Sequence, residues 1–356
     1  MSTIYDVSKE AGVSIATVSR VLNNHPKVDP LLRQRVVSAV QALQYVPSGA
    51  ARSLATGRTR RVALIIPDIT NPFFPELAKG AQDTLDIHGY HLILSNTDDQ
   101  QDRELRYLQM LSETGIDGLI LSPATVLPLK TTSRARDKNA SSALMQALQK
   151  LNVPVVGVSP EPLSEWADQV TVDEVEAARS AVLHLLNLGH RRIALIGGPE
   201  HITVTRDRQQ GYRQALAEEQ VALDPTLIRY ANFRREGGRE AMESLLTQGS
   251  PPTAVLALND MMALGALAAI HAANLAVPED IAVAGIDNIA EAADANPPLT
   301  SVSVPRKYEY GRIAAQLLLD RFADPEGVRF AATRKVRIST HLIVRGSTVP
   351  GISGGP

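Results

Sequence analysis

The first 45 residues carry apolar side chains at the spacing of three short amphipathic helices. Thr3 can cap the first helix, and Gly12 supplies a tight turn after it. Ser14 can cap a second helix over Ile15 to Asn23, and a third is predicted over Asp29 to Leu43. The inward positions are Ile4, Val7 and Ala11, then Val18, Val21 and Leu22, then Leu32, Val36, Val37, Val40 and Leu43. Two short helices around a glycine turn predict a helix-turn-helix, and the third helix completes its core.

The rest of the chain alternates apolar, β-branched runs with helical stretches such as Pro75 to His88 and Glu176 to Leu188. The eight runs are VALIIP, HLILS, GLILS and VPVVGV, followed by RIALIGG, LIRYANF, TAVLALN and IAVAGID. This alternation is typical of βαβ units with parallel sheets. Two consecutive sets of about four strands predict two Rossmann-like lobes that face each other across a cleft, so the fold class is α/β.

Between the head and the lobes lies the segment Pro47 to Gly57, which is compatible with a short helix. It contains Gly49 and is too brief to be strongly helical alone in water. We expect a linker that could become ordered on contact with a partner.

Composition excludes several classes of protein. The 356 residues are enough for two or three domains, and 44% hydrophobic with 21% charged residues is ordinary globular usage. The absence of cysteine excludes disulfides, thiolate metal sites and a cysteine nucleophile. The N-terminus lacks the pattern of a signal peptide, and the uncharged stretch Met261 to Val277 is short and interrupted by His271 and Asn274. We expect a cytoplasmic protein that neither spans nor binds a membrane.

Charge is distributed unevenly along the chain. Residues 1–60 contain eight Lys and Arg and three Asp and Glu, a formal charge of +5, whereas the whole chain carries −2. A basic head on an acidic body suits binding of a polyanion, although charge alone fits an ordinary solvated face equally well.

The sequence favours binding over catalysis. Residues 351–355 spell G-x-S-x-G, but they stand at the chain end without the strand and helix that a nucleophile elbow requires. GxxxxGK[ST], GxGxxG and HExxH motifs are absent, and the eight histidines show no ligand spacing. We predict no enzymatic activity, no cofactor and no metal.

Ligands of open parallel sheets bind beyond the carboxyl ends of the strands, so residues there are candidates for a binding site. They are Asp68, Asn71, Phe73, Phe74, Asn96, Asp98 and Ser122 in the first lobe, and Arg206, Arg208, Phe233, Asn259, Asp260 and Asp287 in the second. Asp68, Asn96 and Asp260 could equally be helix caps. Arg208 and Asp287 are the strongest candidates, because charged groups in a closing cleft need a partner.

The segments IYDVSKEAGVSIATVSRVLNN and YVPSGAARSLATGRTRRVALIIPDITNPFF closely resemble the LacI/GalR family of bacterial transcription regulators. The similarity continues through NLGHRRIALIGG, RDRQQGYRQAL, ALNDMMALGAL and AVAGIDN, so it covers nearly the whole chain. It implies a homodimer whose second helix enters the major groove of operator DNA. The implied base readers are Ile15, Ala16 and Arg20, with Thr17 and Ser19 nearby, and Thr3 is assigned to the same DNA-binding set. Arg20 should dominate, because it can donate two hydrogen bonds to guanine, but a phosphate contact remains the alternative.

The resemblance also implies that the hinge becomes helical on the operator and inserts a leucine into the minor groove. The matching residue is Leu54, with Ala51 and Arg52 on the neighbouring turn. The alternative for Leu54 is core packing. Gly49 departs from the alanine-rich family pattern and weakens the expected hinge helix.

For the lobes, the resemblance implies a periplasmic-binding-protein-like core of type I in which the chain crosses between lobes three times. We place the crossings near Ser159, Ser303 and Ala323. The resulting domains are the head at 1–46, the hinge at 47–60, the N-terminal lobe at 61–158 plus 304–322, the C-terminal lobe at 159–303 plus 323–347, and a flexible tail at 348–356.

The implied effector ligands include Arg208, Asn259 and Asp287 as hydrogen-bonding groups and Phe233 as a stacking ring. The complete predicted set is Asn71, Phe73, Phe74, Ser122, Arg208, Phe233, Asn259 and Asp287. Polar groups with aromatic faces suit a sugar, while a nucleoside or a phosphorylated metabolite remains the alternative. Two departures change the cleft loops: Ser159 to Pro162 replace the usual Asp-Arg pair, and Val126 to Ser142 looks like an insertion. The alternatives for this insertion are a cover of the cleft, a contact with a partner and, by default, a disordered polar loop. Trp166 is expected to pack within a lobe.

These features predict a repressor whose operator affinity is controlled by a small molecule between the lobes. A periplasmic-type sugar-binding protein without a DNA role is the alternative, and it should lack the head and hinge. The C-terminal residues show no heptad repeat, so a dimer is expected rather than a tetramer joined by a helix bundle.

Overall fold

The computed structural model describes residues 2–22, 25–45, 57–123, 135–159, 163, 167–303, 307–323 and 333–351, with the backbone alone over 135–141. The chain forms two compact units, a head of residues 1–60 and a body of residues 61–356.

The described part of the head contains three helices: α1 (Ile4–Ala11), α2 (Ile15–Leu22) and α3 (Pro30–Ala42). Thr3 caps α1 in a reciprocal capping box with Asp6, and Gly12 follows in the left-handed conformation with φ 61°. The Oγ of Ser14 accepts from the backbone N–H of Thr17 at 3.2 Å, and Asp29 caps α3. The helices enclose a small apolar core that includes Val7, Ala11, Val18, Val21, Val36 and Ala39. The predicted helix-turn-helix is therefore present.

One predicted core position in the head is wrong. Val37 is 44% exposed, whereas Val36 and Ala39 are buried. These two are three residues apart and lie on one face of α3, while Val37 is rotated by about 100° from Val36. Of two adjacent valines, the helix can direct only one into so narrow a core.

The described residues of the body contain twelve strands. They are β1 (Arg61–Ile66), β2 (His91–Asn96), β3 (Gly118–Leu121), β4 (Val155–Val158), β5 (Asp168–Val172), β6 (Ile193–Gly197), β7 (Ile228–Tyr230), β8 (Ala254–Ala257), β9 (Ala282–Asp287), β10 (Thr300–Ser303), β11 (Lys335–Ile338) and β12 (His341–Ile343). Each of the eight apolar runs in the sequence contains one of these strands. Most are buried along their whole length, as expected for parallel strands covered by helices on both faces.

The helices of the body are α4 (Phe73–Ile87), α5 (Gln101–Thr114), α6 (Ala135–Leu151), α7 (Glu174–Asn187), α8 (Thr203–Glu218), α9 (Arg235–Leu246), α10 (Asp260–Ala272), α11 (Ala290–Asp294) and α12 (Lys307–Ala323). A single turn of 3₁₀ helix, Pro225–Leu227, precedes β7. In the described part of the chain, none of the helices is both long enough and apolar enough to cross a bilayer.

The strands form two six-stranded sheets, one in each lobe. The orders are β11-β5-β4-β3-β1-β2 and β12-β10-β9-β8-β6-β7, and every pairing is parallel except β10 with β12. Both orders reverse direction beside the first strand of the lobe, next to β1 and next to β6. These are the topological switch points at which doubly wound folds bind ligands.

Two predicted crossings between the lobes are wrong. The first sheet contains β5 at 168–172 and β11 at 335–338, so the chain leaves that lobe after Val172 rather than near Ser159. It makes its last crossing between Ile338 and His341 rather than near Ala323. The polar composition of β5 and β11 concealed both strands. The middle crossing falls between β10 in the second sheet and α12, which packs in the core of the first lobe.

The structure also corrects two segments predicted to be flexible. Thr348 is 4% exposed, and its Oγ1 lies 2.7 Å from Thr300 Oγ1 and 2.9 Å from His184 Nε2, so the body extends beyond residue 347. Within the apparent insertion 126–142, α6 begins at Ala135, so its second half is helical rather than a loop. Residues 126–134 and Trp166 lie outside the described residues.

Candidate functional site

A cavity of about 150 Å³ lies between the two lobes of the body. The structure brings together all eight residues of the predicted effector set on its wall: Asn71, Phe73, Phe74, Ser122, Arg208, Phe233, Asn259 and Asp287. Since a site of about 10–15 Å³ can hold one water, the cavity has room for roughly the heavy atoms of a monosaccharide or a nucleobase. It is far too small for a peptide.

Sheet topology explains why these residues converge. Asp68 and Ser122 follow β1 and β3, the strands on either side of the switch point in the first lobe. Asn259 follows β8, and Asp287 ends β9 in the second lobe. The carboxyl ends of both parallel sheets therefore point at one cleft.

A buried ion network forms the part of the wall contributed by the second lobe. Arg208 Nε donates to Glu174 Oε2 at 2.7 Å, and Nη2 donates to Asp287 Oδ1 at 3.3 Å. Nη1 donates to the carbonyl of Leu258. All three charged side chains are 8% exposed or less. The two carboxylates raise the pKa of Arg208 despite its burial, so the guanidinium stays charged.

The pKa values of two buried acids, Asp287 of this network and its neighbour Asp260, are raised. Burial raises the pKa of Asp287 to about 6, although Arg208 and Lys307 oppose the shift. Burial and the charge of Asp287 raise the pKa of Asp260 to about 7. Asp260 accepts hydrogen bonds from Ser301 Oγ at 2.6 Å and from the backbone N–H of Ile289 at 2.9 Å.

We predict that Asp260→Asn flattens the pH dependence of stability between pH 6 and pH 8. In the unfolded chain Asp260 is ionised throughout this range, whereas the folded protein binds its proton until about pH 7. The wild-type protein therefore loses about 1.4 kcal/mol of stability from this group as the pH rises across the window. Asparagine can accept from Ile289 and donate to Ser301, so the fold should persist. Denaturant titrations of both proteins at the two pH values measure the difference, and parallel pH profiles would contradict the assignment.

Aromatic side chains form the opposite part of the wall. Phe73 and Phe74 begin α4 and meet edge to face at a centroid distance of 5.1 Å, and Tyr310 lies 6.0 Å from Phe73. Asn71 Oδ1 accepts from the N–H of Phe73 at 3.1 Å and so fixes the start of the helix. The rings offer apolar faces, with the Tyr310 hydroxyl donating away to the carbonyl of Val170.

Phe233 lies in a strained backbone conformation with φ 62°, which is rare for an aromatic residue. Its carbonyl accepts from Asn259 Nδ2 at 2.9 Å, and Asn259 Oδ1 caps α10 by accepting from Met262 N–H. The amide of Asn259 is thus engaged within the protein and positions Phe233. Strain of this kind is maintained where the surrounding structure requires a particular placement of the side chain.

We predict that Gly198→Ala lowers ligand affinity about tenfold with little loss of stability. A Cβ at Gly198 would lie 2.1 Å from the Phe233 ring, so the ring must move, while the backbone need not. Gly249→Ala is the matched control, because nothing lies within 4 Å of its added methyl group. Calorimetric ligand titrations on the three proteins compare them, and equal affinities would show that the ring position is irrelevant.

Two polar contacts join the lobes at the cleft. Arg234 Nε lies 3.2 Å from Asp68 Oδ2 near the surface, and the buried Lys307 Nζ donates to the carbonyl of Asn288 at 2.8 Å. Both contacts must change if the lobes move relative to each other.

Several candidates from the sequence lie off the cavity wall. Asn96 bonds the N–H of Ile69 and the carboxylate of Asp98, and Asp260 is fully buried and accepts from the N–H of Ile289. Arg206 contacts Thr203. Conversely, Glu174, Tyr310 and Asp99 line the cavity but were missed. Strand ends and family motifs were the signals for the site, and neither points to Glu174 or Tyr310, which lie in the first turns of helices.

The head presents a second candidate surface at α2. Ile15, Ala16 and Arg20 are exposed, while Thr17 and Ser19 are half-buried. Arg33 and Arg35 donate to backbone carbonyls, whereas the Arg20 side chain makes no hydrogen bond or ion pair to another described residue. Thr3 serves as the cap of α1. Ala51, Arg52 and Leu54 lie outside the described residues.

The chain matches two family profiles. Residues 3–48 match bacterial regulatory proteins of the lacI family, and residues 182–348 match a periplasmic binding protein-like domain. Within the described residues, no group of three or more His, Asp or Glu side chains is arranged to hold a metal ion.

Relatives of known role cover nearly the whole chain. The HTH-type transcriptional regulator DegA of Bacillus subtilis is 34% identical over 349 residues, 98% of each chain. The solved complex of the transcriptional regulator CelR with cellobiose has a TM-score of 0.69 at 32% identity and covers 98% of this chain and 100% of its own. The lac repressor dimer bound to operator and the anti-inducer ONPF has a TM-score of 0.79 at 26% identity and covers 98% and 99%. These matches support a DNA-binding regulator rather than a periplasmic-type sugar-binding protein without a DNA role.

Proposed function

Because the chain belongs to the lacI family of bacterial regulatory proteins, we propose that it represses transcription under the control of a small effector bound in the cleft. The head is its DNA-binding part, and the body carries the effector site. The observation that carries this proposal is the convergence of all eight predicted effector residues on one cavity between two lobes.

In the head, the N-terminal part of α2 supplies the surface that enters the major groove. Arg20 reads guanine through paired hydrogen bonds, and Ile15 and Ala16 offer apolar contact to a thymine methyl group. Arg20 suits this role because its guanidinium is exposed and has no partner among the described residues. Leu54 acts as a minor-groove wedge, as the sequence resemblance implies.

The effector is a sugar or a molecule of similar chemistry. Polar groups of the second lobe and the aromatic rings of Phe73, Phe74 and Phe233 match the hydroxyl edges and apolar face of a pyranose or furanose. The relative crystallised with cellobiose supports a carbohydrate-type ligand.

Control follows from the position of the effector between two lobes. A ligand that contacts both lobes binds one lobe arrangement better than another and shifts the population toward it. The contacts Asp68–Arg234 and Lys307–Asn288 are the polar links whose geometry would report that shift. Through linkage, the same shift changes the affinity of the protein for the operator. The family resemblance favours an inducer, whose binding releases the protein from DNA.

We propose that the functional unit is a homodimer, in keeping with the dimeric relative on operator. β2 is an edge strand on which Leu94 is 39% exposed, and Met110 on the following helix is 41% exposed. A second copy of the chain could cover such an edge.

The test starts from purified full-length protein and a pool of random duplexes. Repeated selection should enrich a sequence with two related half-sites, bound far more tightly than random competitor at the same salt concentration. If selection enriches no sequence, the proposed function is wrong.

A further inference from the structure

Asp99 is a carboxylate on the cavity wall that no residue in the described part of the chain engages by a hydrogen bond from a side chain or backbone donor. It follows β2 in the left-handed conformation with φ 56°, and its own N–H donates to the carbonyl of Pro67 at 3.2 Å. The backbone of Asp99 is therefore fixed at the carboxyl end of β1, close to the switch point of the first lobe.

The other charged groups of the wall already have partners. Glu174 and Asp287 accept from Arg208, and each of the three nitrogens of the Arg208 guanidinium already donates one hydrogen bond, the third of them to the carbonyl of Leu258. Asp68 accepts from Thr70 and pairs with Arg234. Among the charged residues described on the wall, Asp99 is thus the one whose side chain accepts no hydrogen bond from a described residue.

The surroundings of Asp99 favour a hydrogen bond from a ligand to its carboxylate. Burial and the nearby charge of Asp68 raise the pKa of Asp99, with His201 and Arg234 of the opposite lobe opposing the shift. A partly buried carboxylate without a donor is poorly solvated, and a ligand hydroxyl would restore the hydrogen bond that water supplied.

The charge of the wall beside Asp99 is unfavourable for anions. Of the four carboxylates on the wall, those of Glu174 and Asp287 pair with Arg208 and that of Asp68 pairs with Arg234, so the charge of Asp99 is the one without an ion-pair partner among the described residues. The starts of α4 and α8 also point to the cavity, and each contributes about half a positive charge at most. Asn71 already engages the first N–H of α4. An anionic group that approaches Asp99 therefore meets a negative charge that no described cation pairs with.

We propose that Asp99 selects the effector, accepting a hydrogen bond from a ligand hydroxyl and excluding ligands that carry phosphate or carboxylate groups. This proposal rests on the proposed effector site and decides between the alternatives that the sequence left open: an uncharged sugar or nucleoside enters, and its phosphate ester does not.

The test compares Asp99→Asn with a matched neighbour. Asparagine tolerates the left-handed conformation, keeps the shape of the side chain and removes its charge. Asp98→Asn is the control, because Asp98 also has positive φ at 51° but bonds Asn96 and Arg103 and lies off the cavity wall. Full-length wild-type and variant proteins are titrated calorimetrically with ribose, glucose, cellobiose and adenosine, and with ribose 5-phosphate, glucose 6-phosphate and adenosine monophosphate.

We expect an uncharged member of the panel to bind the wild type and its phosphate ester to bind at least about a hundredfold more weakly. Asp99→Asn should lower the affinity for the uncharged ligand about tenfold, because a charge-assisted hydrogen bond is lost. It should also reduce the ratio between the affinities for the uncharged ligand and its ester, because the repulsion between Asp99 and the phosphate group is removed. Asp98→Asn should change neither quantity. Such a change in selectivity would not follow from a merely structural role.

Three results would overturn the proposal: an ester that binds as tightly as its parent compound, an unchanged affinity ratio in Asp99→Asn, or a panel in which no uncharged compound binds. Selection of DNA without ligand is scored separately. If a specific duplex is enriched but the ligand results differ from those expected, the inference about Asp99 is wrong and the proposed DNA-binding function is still supported. If no duplex is enriched but the ligand results agree, the proposed DNA-binding function is wrong and the inference about the effector site is still supported.

Discussion

Arg208→Ala is expected to lower the free energy of unfolding of the body by about 3–5 kcal/mol and to abolish effector binding. The substitution leaves Glu174 and Asp287 buried at 8% exposure with no cation between them. Both carboxylates must then remain charged without a partner or take up protons. Denaturant titration measures the stability, and calorimetry measures the binding.

The control is Arg239→Ala, which removes an exposed ion pair with Glu243 at 2.8 Å. Exposed pairs of this kind contribute little, so its stability should change by less than about 1 kcal/mol. The penalty in Arg208→Ala should also shrink at pH 5, because burial raises the pKa of Asp287 to about 6 and protonation then neutralises this orphaned acid. If Arg208→Ala loses no more stability than Arg239→Ala, or if its loss is independent of pH, the buried network does not have the importance assigned to it.

Arg20→Ala should reduce the preference for the selected duplex over random DNA by about 1–3 kcal/mol, a factor of roughly 5 to 150. The expected cause is the loss of two hydrogen bonds to guanine. Arg20→Lys should not restore the preference, because an ammonium group cannot reproduce the planar fork. Fluorescence anisotropy against both duplexes, at several salt concentrations, gives the affinity and its salt slope.

The salt slope separates base reading from phosphate contact. If Arg20 contacts only a phosphate, Arg20→Ala should lower the affinity for the specific and the random duplex by the same factor and reduce the salt slope by about one unit. Lys27→Ala provides a comparison, since Lys27 is exposed and lies between α2 and α3 rather than on the recognition helix. A uniform loss across sequences in Arg20→Ala would contradict the assigned role.

The head could be predicted almost completely because its determinants are local. The capping box of Thr3 and Asp6, the left-handed Gly12 and the cap at Asp29 all involve residues within three positions of each other. Patterns of that range are visible in a sequence. The error at Val37 arose where two adjacent apolar residues competed for one narrow stripe.

In the body, local sequence patterns were not sufficient to predict every strand. β5 was missed because it contains Asp168 and Gln169, which are polar yet buried. Asp168 bonds Arg321 at 2.6 Å and Arg334 at 2.6 Å, both more than 150 residues away along the chain. Such long-range pairing compensates the burial of a charge, but no local window can reveal it.

The cavity was predictable where strand ends and family motifs coincide, as at Asn259 and Asp287. Glu174 and Tyr310 reach it only because the chain returns to the cleft from distant elements. The partners of Arg208 also required the structure: sequence reasoning treated its charge as awaiting a ligand, whereas Glu174 and Asp287 already neutralise it.

The central claim is that occupation of the cleft changes the affinity of the protein for DNA, and linkage provides its most direct test. The full-length protein is titrated with its selected duplex in the presence and absence of a saturating uncharged ligand from the panel, and with the ligand in the presence and absence of the duplex. The account predicts that each partner changes the affinity for the other by the same factor, at least about fivefold. Affinities for the duplex that are identical with and without the ligand would contradict it.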